Sequence, residues 1–189
     1  MRRLAGLLLL ISSLLMGAGT AAAPVPEADR VPIDLRRTTL VVRDIDNSLA
    51  LYRDVLGMKV IYDNRIRTPR DAKTDAEAER ASRLVFLRAN DNFIGVLGLL
   101  QYVKPEKHRE LKHEAFQPGT IVLLFNADNV EDKFAAASQV EGVKALSEPR
   151  LTTYPSYDGG APIEVKVSVL FDPDGFVIEL NELVSELDR

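Results

Sequence analysis

The stretch "TTLVVRDIDNSLALYRDVLGMKVIYD" (38–63) decides the fold. "TTLVV" is β-branched and apolar, which favours a strand. Asp46 is a suitable helix N-cap, and Leu49, Tyr52 and Leu56 then recur at i, i+3 and i+7, one face of a helix. Gly57 stands where a left-handed residue closes a helix, and "MKVIYD" begins a second strand.

The pattern occurs a second time. "TIVLLF" (120–125) reads as a strand, Asp128 as an N-cap, and Val130, Phe134 and Ala137 as a helical stripe. Gly142 takes the place of Gly57, and "LGMKVI" can be laid over "EGVKAL". The second halves match too: "LVFLRANDNFIGVLGLLQY" (84–102) and "SVLFDPDGFVIELNEL" (168–183) both read strand, turn, strand, with Gly98 opposite Glu179. The expected class is α+β, two tandem βαβββ modules whose curved sheets enclose one cleft. Each module leaves an apolar face that the other can cover.

The modules are expected over 35–103 and 119–184. The connector 104–118, "KPEKHRELKHEAFQP", reads as polar and partly helical. The segment 68–83 reads as an inserted, solvated helix, with Thr68 as N-cap, Pro69 at the first helical position and Asp71 at the third.

Residues 1–22 read as a secretory signal: Arg2 and Arg3, an apolar run from Leu4 to Met16, then small residues in "GAGTAAAP". Residues 23–34 read as a Pro-rich polar tether. A periplasmic or secreted location follows, with membrane contact only through an uncleaved signal. The whole chain carries 24 basic and 28 acidic residues, a net charge of -4. Without Arg2 and Arg3 the count is 22 against 28, or -6. That balance excludes a nucleic-acid footprint as the expected partner. The absence of cysteine excludes disulfides and thiolate chemistry.

"TTLVVRDIDNSLALYRDVLGMKV" together with "FDPDGFVIEL" resembles the vicinal oxygen chelate superfamily of glyoxalase I, extradiol dioxygenases, methylmalonyl-CoA epimerase and bleomycin-resistance proteins. The resemblance spans roughly Leu35 to Leu183. It implies a divalent metal held by His or Gln and Glu from one module and His and Glu from the other, chelating two adjacent substrate oxygens. Carried over residue by residue, those positions hold Arg37, Gly98, Thr120 and Glu179. One carboxylate does not make a transition-metal site, which takes about four to six ligands. Hence no cofactor is expected, and a divalent metal is disfavoured. His108 and His113, five residues apart, read as solvated surface residues.

Arg37 would repel a dication, and an Arg37–Glu179 ion pair is expected in its stead. Strand alternation groups Arg37, Thr39 and Val41 on one face, and on the second module Thr120, Val122 and Leu124 are expected to face the same cleft. The expected ligand-binding set is Arg37, Thr39, Gly98, Thr120 and Glu179, with Glu179 the one candidate general base. Tyr154 and Tyr157 sit in a turn-rich loop that either closes over a ligand or packs on the outer sheet.

Three functions remain open at this point. The first is an exported, metal-free small-molecule binder of the bleomycin-resistance type. The second is a glyoxalase-, epimerase- or dioxygenase-like metalloenzyme acting on a small oxygenated substrate. The third is an interaction module with a filled cleft. A homodimer is compatible with each, because sister members build clefts within a chain or across two chains.

Overall fold

The computed structural model describes residues 25–107, 110–156 and 159–184 of the 189-residue chain. The expected signal at 1–22, His108 and Tyr157 lie outside the described residues. The chain divides after Pro32. Ahead of that point, one short 310 turn, Glu27–Asp29, is closed by Arg30 Nε donating to the Val25 carbonyl.

The second unit holds the two modules. In the first, β1 (Arg37–Val41), α1 (Ile45–Leu49), β2 (Lys59–Thr68), β3 (Arg80–Arg88) and β4 (Val96–Lys104) form a sheet of order β1-β4-β3-β2. In the second, β5 (Val122–Asn126), α2 (Val130–Ala137), β6 (Lys144–Tyr154), β7 (Ile163–Phe171) and β8 (Val177–Leu183) form β5-β8-β7-β6. The first strand of each module pairs in parallel with the last, and the other neighbours pair antiparallel. This is the expected α+β repeat.

The helix stripes explain how the modules join. Leu49 and Tyr52 are 2% and 0% exposed, and Val130 and Ala137 are both 0%. They share one apolar cluster with Leu40, Val85 and Leu99 of one sheet and Leu170, Ile178 and Leu180 of the other. Fully burying a Leu or Ile side chain stabilises by roughly 1.5–3 kcal/mol, so this shared cluster favours keeping the two sheets together. Tyr52 also meets Phe125 across the junction, at 6.2 Å between ring centroids. Gly57, at φ of 81°, follows the first helical segment in the left-handed region as its position predicts, whereas Gly142, at φ of 80°, lies in the turn before β6, beyond the Ser138 that caps α2.

Several local expectations are corrected. The first N-cap is Asp44, not Asp46; its carboxylate accepts from the backbone N–H of Asp46 and Asn47. After Leu49 the helix widens into a π turn, Ala50–Val55, with Leu56 N–H reaching the Leu51 carbonyl. The second N-cap is Asn129, not Asp128.

Segment 69–79 is a turn-built hairpin loop, not a helix. Thr68 ends β2, and its carbonyl accepts from Glu79 N–H. Asp75 ties the loop back to Arg67 at 2.7 Å, while Lys104 Nζ caps the Ala76 carbonyl. These tertiary bonds outweigh the helix propensity of the alanine-rich run. The described part of the connector, 105–107 and 110–118, is likewise non-helical.

Candidate functional site

Strand alternation turns Leu40, Leu97, Leu99, Val85 and Leu87 toward the shared core. The opposite face of module one carries the row Thr39–Gly98–Phe86–Tyr62, set by the pairing of β1 with β4, β4 with β3 and β3 with β2. The Tyr62 and Phe86 rings stack at 5.0 Å and 25°. Arg37 starts at the sheet edge, crosses β4 and lays its guanidinium over Phe86, 4.1 Å from the ring centroid.

Gly98 is what this arrangement requires. A Cβ there would lie 2.7 Å from Thr39 Oγ1 and 3.3 Å from Thr39 Cβ. A longer side chain would also stand in the path of Arg37.

On module two, Leu123, Ile178, Leu180 and Leu170 face the core, and Leu124, Glu179, Asn181 and Val169 lie on the opposite face. Gly98 pairs with Thr39 as Glu179 pairs with Leu124, each the third pair from the start of its ladder. The repeat equivalence of Gly98 and Glu179 thus holds in three dimensions. By the same register the counterpart of Arg37 is Val122, not Thr120. Thr120 precedes β5 in a turn, where its hydroxyl accepts from Gln117 N–H.

Of the five expected residues, Arg37, Thr39 and Gly98 come together. Glu179 lies on the other module and Thr120 off the sheet. The expected Arg37–Glu179 ion pair does not form: Arg37 rests on Phe86, and a Glu179 oxygen accepts from Asn181 Nδ2 at 3.0 Å. Among the described residues, no three His, Cys, Asp or Glu side chains stand close enough to share a metal ion. The four family positions, with one carboxylate, a hydroxyl used in a turn, a glycine and a cation, do not fit a divalent metal.

His113 is not a solvated residue. It is half-buried, edge-on to Phe171 at 5.2 Å, and its Nδ1 lies 3.3 Å from Lys144 Nζ. Burial, followed by the charges of Lys144 and Arg43, holds its pKa below the ordinary histidine value. With Ala115 it carries the connector over the Phe171–Val177 end of module two. Tyr154 is 41% exposed at the end of β6.

Two open hollows flank these faces. One, of about 390 Å3, is bounded by Thr39, Val41, Tyr102, Lys107, Leu111 and Phe176. Lys107 lies 4.3 Å over the Tyr102 ring. The other, of about 570 Å3, lies between the connector and Thr120, Gly175 and Val177. Both fall in the size range of small-molecule sites. Neither includes Glu179 or Arg37.

Sequence reasoning passed over Phe86, Tyr62 and Asn181. Asn181 had a readable signal, since it follows Glu179 by two residues and so shares its face. The aromatic pair depends on the β2–β3 register, including a bulge between Val60 and Tyr62 that sequence does not reveal.

Two paired βαβββ sheets with a helix in each define a glyoxalase-type fold. Residues 34–180 match the model of the Glyoxalase/Bleomycin resistance protein/Dioxygenase superfamily, and the chain belongs to that superfamily. Among solved structures, a glyoxalase family protein from Bacillus cereus is similar at a TM-score of 0.62 and 11% identity, over 85% of this chain and 100% of that one. The trypanothione-dependent glyoxalase I of Leishmania major is similar at 0.49 and 22%, over 79% and 86%. A family enzyme from Burkholderia phytofirmans is similar at 0.42 and 18%, over 80% and 100%. At these identities the likeness concerns the fold. No curated protein sequence matches the chain.

Proposed function

We propose that this protein is an exported small-molecule binder that works without the metal of its enzymatic relatives. The observation that carries this reading is the fate of the four family positions. Arg37 is committed to Phe86, Gly98 is closed over by Thr39, Thr120 is committed to a turn, and Glu179 is left with an amide neighbour. A fixed cation and an aromatic stack occupy the face where a dication would be held. Such a face suits a planar or apolar ligand with polar edges. The hollow beside Thr39 and Val41 has the volume for one.

Export rests on the basic, apolar and small-residue order of 1–22. N-terminal sequencing of protein recovered from the cell envelope or the medium would return a start near residue 22 or 23. A start at Met1 in the soluble cell fraction contradicts export.

The test of binding is a thermal-shift screen of the full-length protein against small metabolites, repeated with Arg37→Ala. At least one compound raises Tm in the parent, and its affinity falls about tenfold or more in the variant while the unliganded Tm stays within a few degrees. A compound bound equally well by both proteins contradicts the assignment of this face.

A further inference from the structure

The hollow of about 390 Å3 is walled by the end of β1, the connector and the Asp-Pro-Asp-Gly turn of module two. Each wall supplies an apolar side chain: Val41, Leu111 and Phe176. Val41 is 51% exposed, and the other two are half-buried.

Three charged side chains line the same space: Arg43, Lys107 and Asp174. Asp174 is committed to Arg43. Its Oδ1 accepts from Arg43 Nε at 2.9 Å and from the Arg43 backbone N–H at 3.0 Å. Arg43 Nη2 donates to the Pro173 carbonyl, which leaves Nη1 without a partner among the described residues. The Arg43–Asp174 pair cancels one charge of each sign, and Lys107 is the surplus. Among the described residues Lys107 makes no hydrogen bond or ion pair; its ammonium lies 4.3 Å over the centroid of the Tyr102 ring. A ring face attracts the charge but offers no lone pair, so the ammonium donors remain available. Glu106 and Glu110, the acids nearest to Lys107 in sequence, do not line the hollow. One positive charge thus stands beside apolar walls in a chain whose net charge is -4.

We infer that this hollow binds a monocarboxylate carried on a small apolar body, an inference that rests on the hollow being the seat of the protein's ligand and that names the ligand's class. Lys107 Nζ donates to the carboxylate in a charge-assisted hydrogen bond, and Arg43 Nη1 adds a second donor to the lining. Val41, Leu111 and Phe176 take the apolar body. A neutral analogue loses the charge-assisted bond. An ammonium analogue is repelled by Lys107 and finds Asp174 already paired.

The test titrates phenylacetate, 2-phenylethanol and 2-phenylethylammonium, three probes with one body, into the full-length protein and follows the backbone amide signals by NMR. The expected result is saturable phenylacetate binding, about tenfold or more tighter than either analogue. The Val41 and Leu111 signals move along that isotherm, and the affinity falls as salt is raised. Acetate, which has the charge without the body, does not saturate in the same range. Lys107→Met keeps the stem, removes the charge and weakens phenylacetate binding about tenfold, with the unliganded Tm unchanged. Lys112→Met, on the other hollow, leaves the binding as it was. Equal binding of the three phenyl probes overturns the inference. So does phenylacetate binding that is indifferent to Lys107→Met or reduced equally by Lys112→Met. If no probe binds while a compound from the metabolite screen still binds through Arg37, the carboxylate assignment falls and the binding reading stands. If neither binds, both fall.

Discussion

Tyr52 Oη donates a 2.8 Å hydrogen bond to Asp172 Oδ2, and both residues are completely buried. The bond ties the helical segment of module one to the Asp-Pro-Asp-Gly turn of module two. The other Asp172 oxygen, Oδ1, accepts from the backbone N–H of Asp174 and Phe176. Asp174 in turn accepts from Arg43 Nε at 2.9 Å and from Arg43 N–H at 3.0 Å. The turn is therefore both a hairpin connection and the latch between modules.

Removing the Tyr52 hydroxyl leaves Asp172 Oδ2 buried without a partner. Tyr52→Phe is expected to destabilise the protein by about 1–3 kcal/mol, the range for an orphaned buried polar group. Urea unfolding reports it as a lower midpoint with an unchanged slope. An unaltered midpoint would show that the bond contributes nothing.

Burial, opposed by the hydrogen bonds from Phe176, Tyr52 and Asp174, raises the Asp172 pKa to about 6. In the unfolded chain the value is near ~3.9. Between those values the folded protein keeps a proton that the unfolded chain releases. This group's contribution is therefore fully present below pH ~4 and is lost as pH rises through 6. The loss amounts to about 3 kcal/mol at most. Asp172→Asn keeps an acceptor for both backbone donors and turns an N–H toward Tyr52. Its stability relative to the parent is expected to improve between pH 4.5 and 7.5. A difference independent of pH contradicts the assignment.

His113 acts in the opposite sense. Its pKa is lowered, so the unfolded chain binds the proton more readily. Its contribution is present above the unfolded value of ~6.5 and is lost as pH falls below it. His113→Gln is expected to flatten the fall of Tm between pH 7 and 5 relative to the parent. An identical fall in both proteins would place the acid sensitivity elsewhere.

Gly98→Ala puts a methyl group 2.7 Å from Thr39 Oγ1. The expected cost is about 1–3 kcal/mol, typical of overpacking. Thr39→Ala should recover part of it, because the nearest clashing atom is then gone. A double-mutant cycle in urea measures the coupling. Additive losses would mean that Thr39 is not what excludes a side chain at 98.

The repeat was legible because it is written in spacing. Leu49, Tyr52, Val130 and Ala137 bury the stripes that their periodicity predicts, and Gly57 closes the helical segment it follows, while Gly142 falls in the turn beyond α2. The equivalence of Gly98 and Glu179 was legible too, since two strands of one pattern carry one register. The inserted helix was not: Arg67, through Asp75, and Lys104, through the Ala76 carbonyl, anchor the loop from outside the segment, and local propensity carries no information about them. The Arg37–Glu179 pair failed for a related reason. Alternation gives the face of a side chain, not its reach, and Arg37 found an aromatic ring on β3 rather than a carboxylate on the other module. His113 looked polar in sequence because Phe171, its partner, lies 58 positions away.

The protein is proposed to bind its ligand without a transition metal. Elemental analysis of the full-length protein, purified without chelator, tests it most directly when paired with Tm before and after chelation. The account predicts well under one equivalent of zinc, nickel, iron, cobalt or manganese, and the same Tm in both states. One equivalent of such a metal, with Tm falling on its removal and returning on its addition, would contradict it.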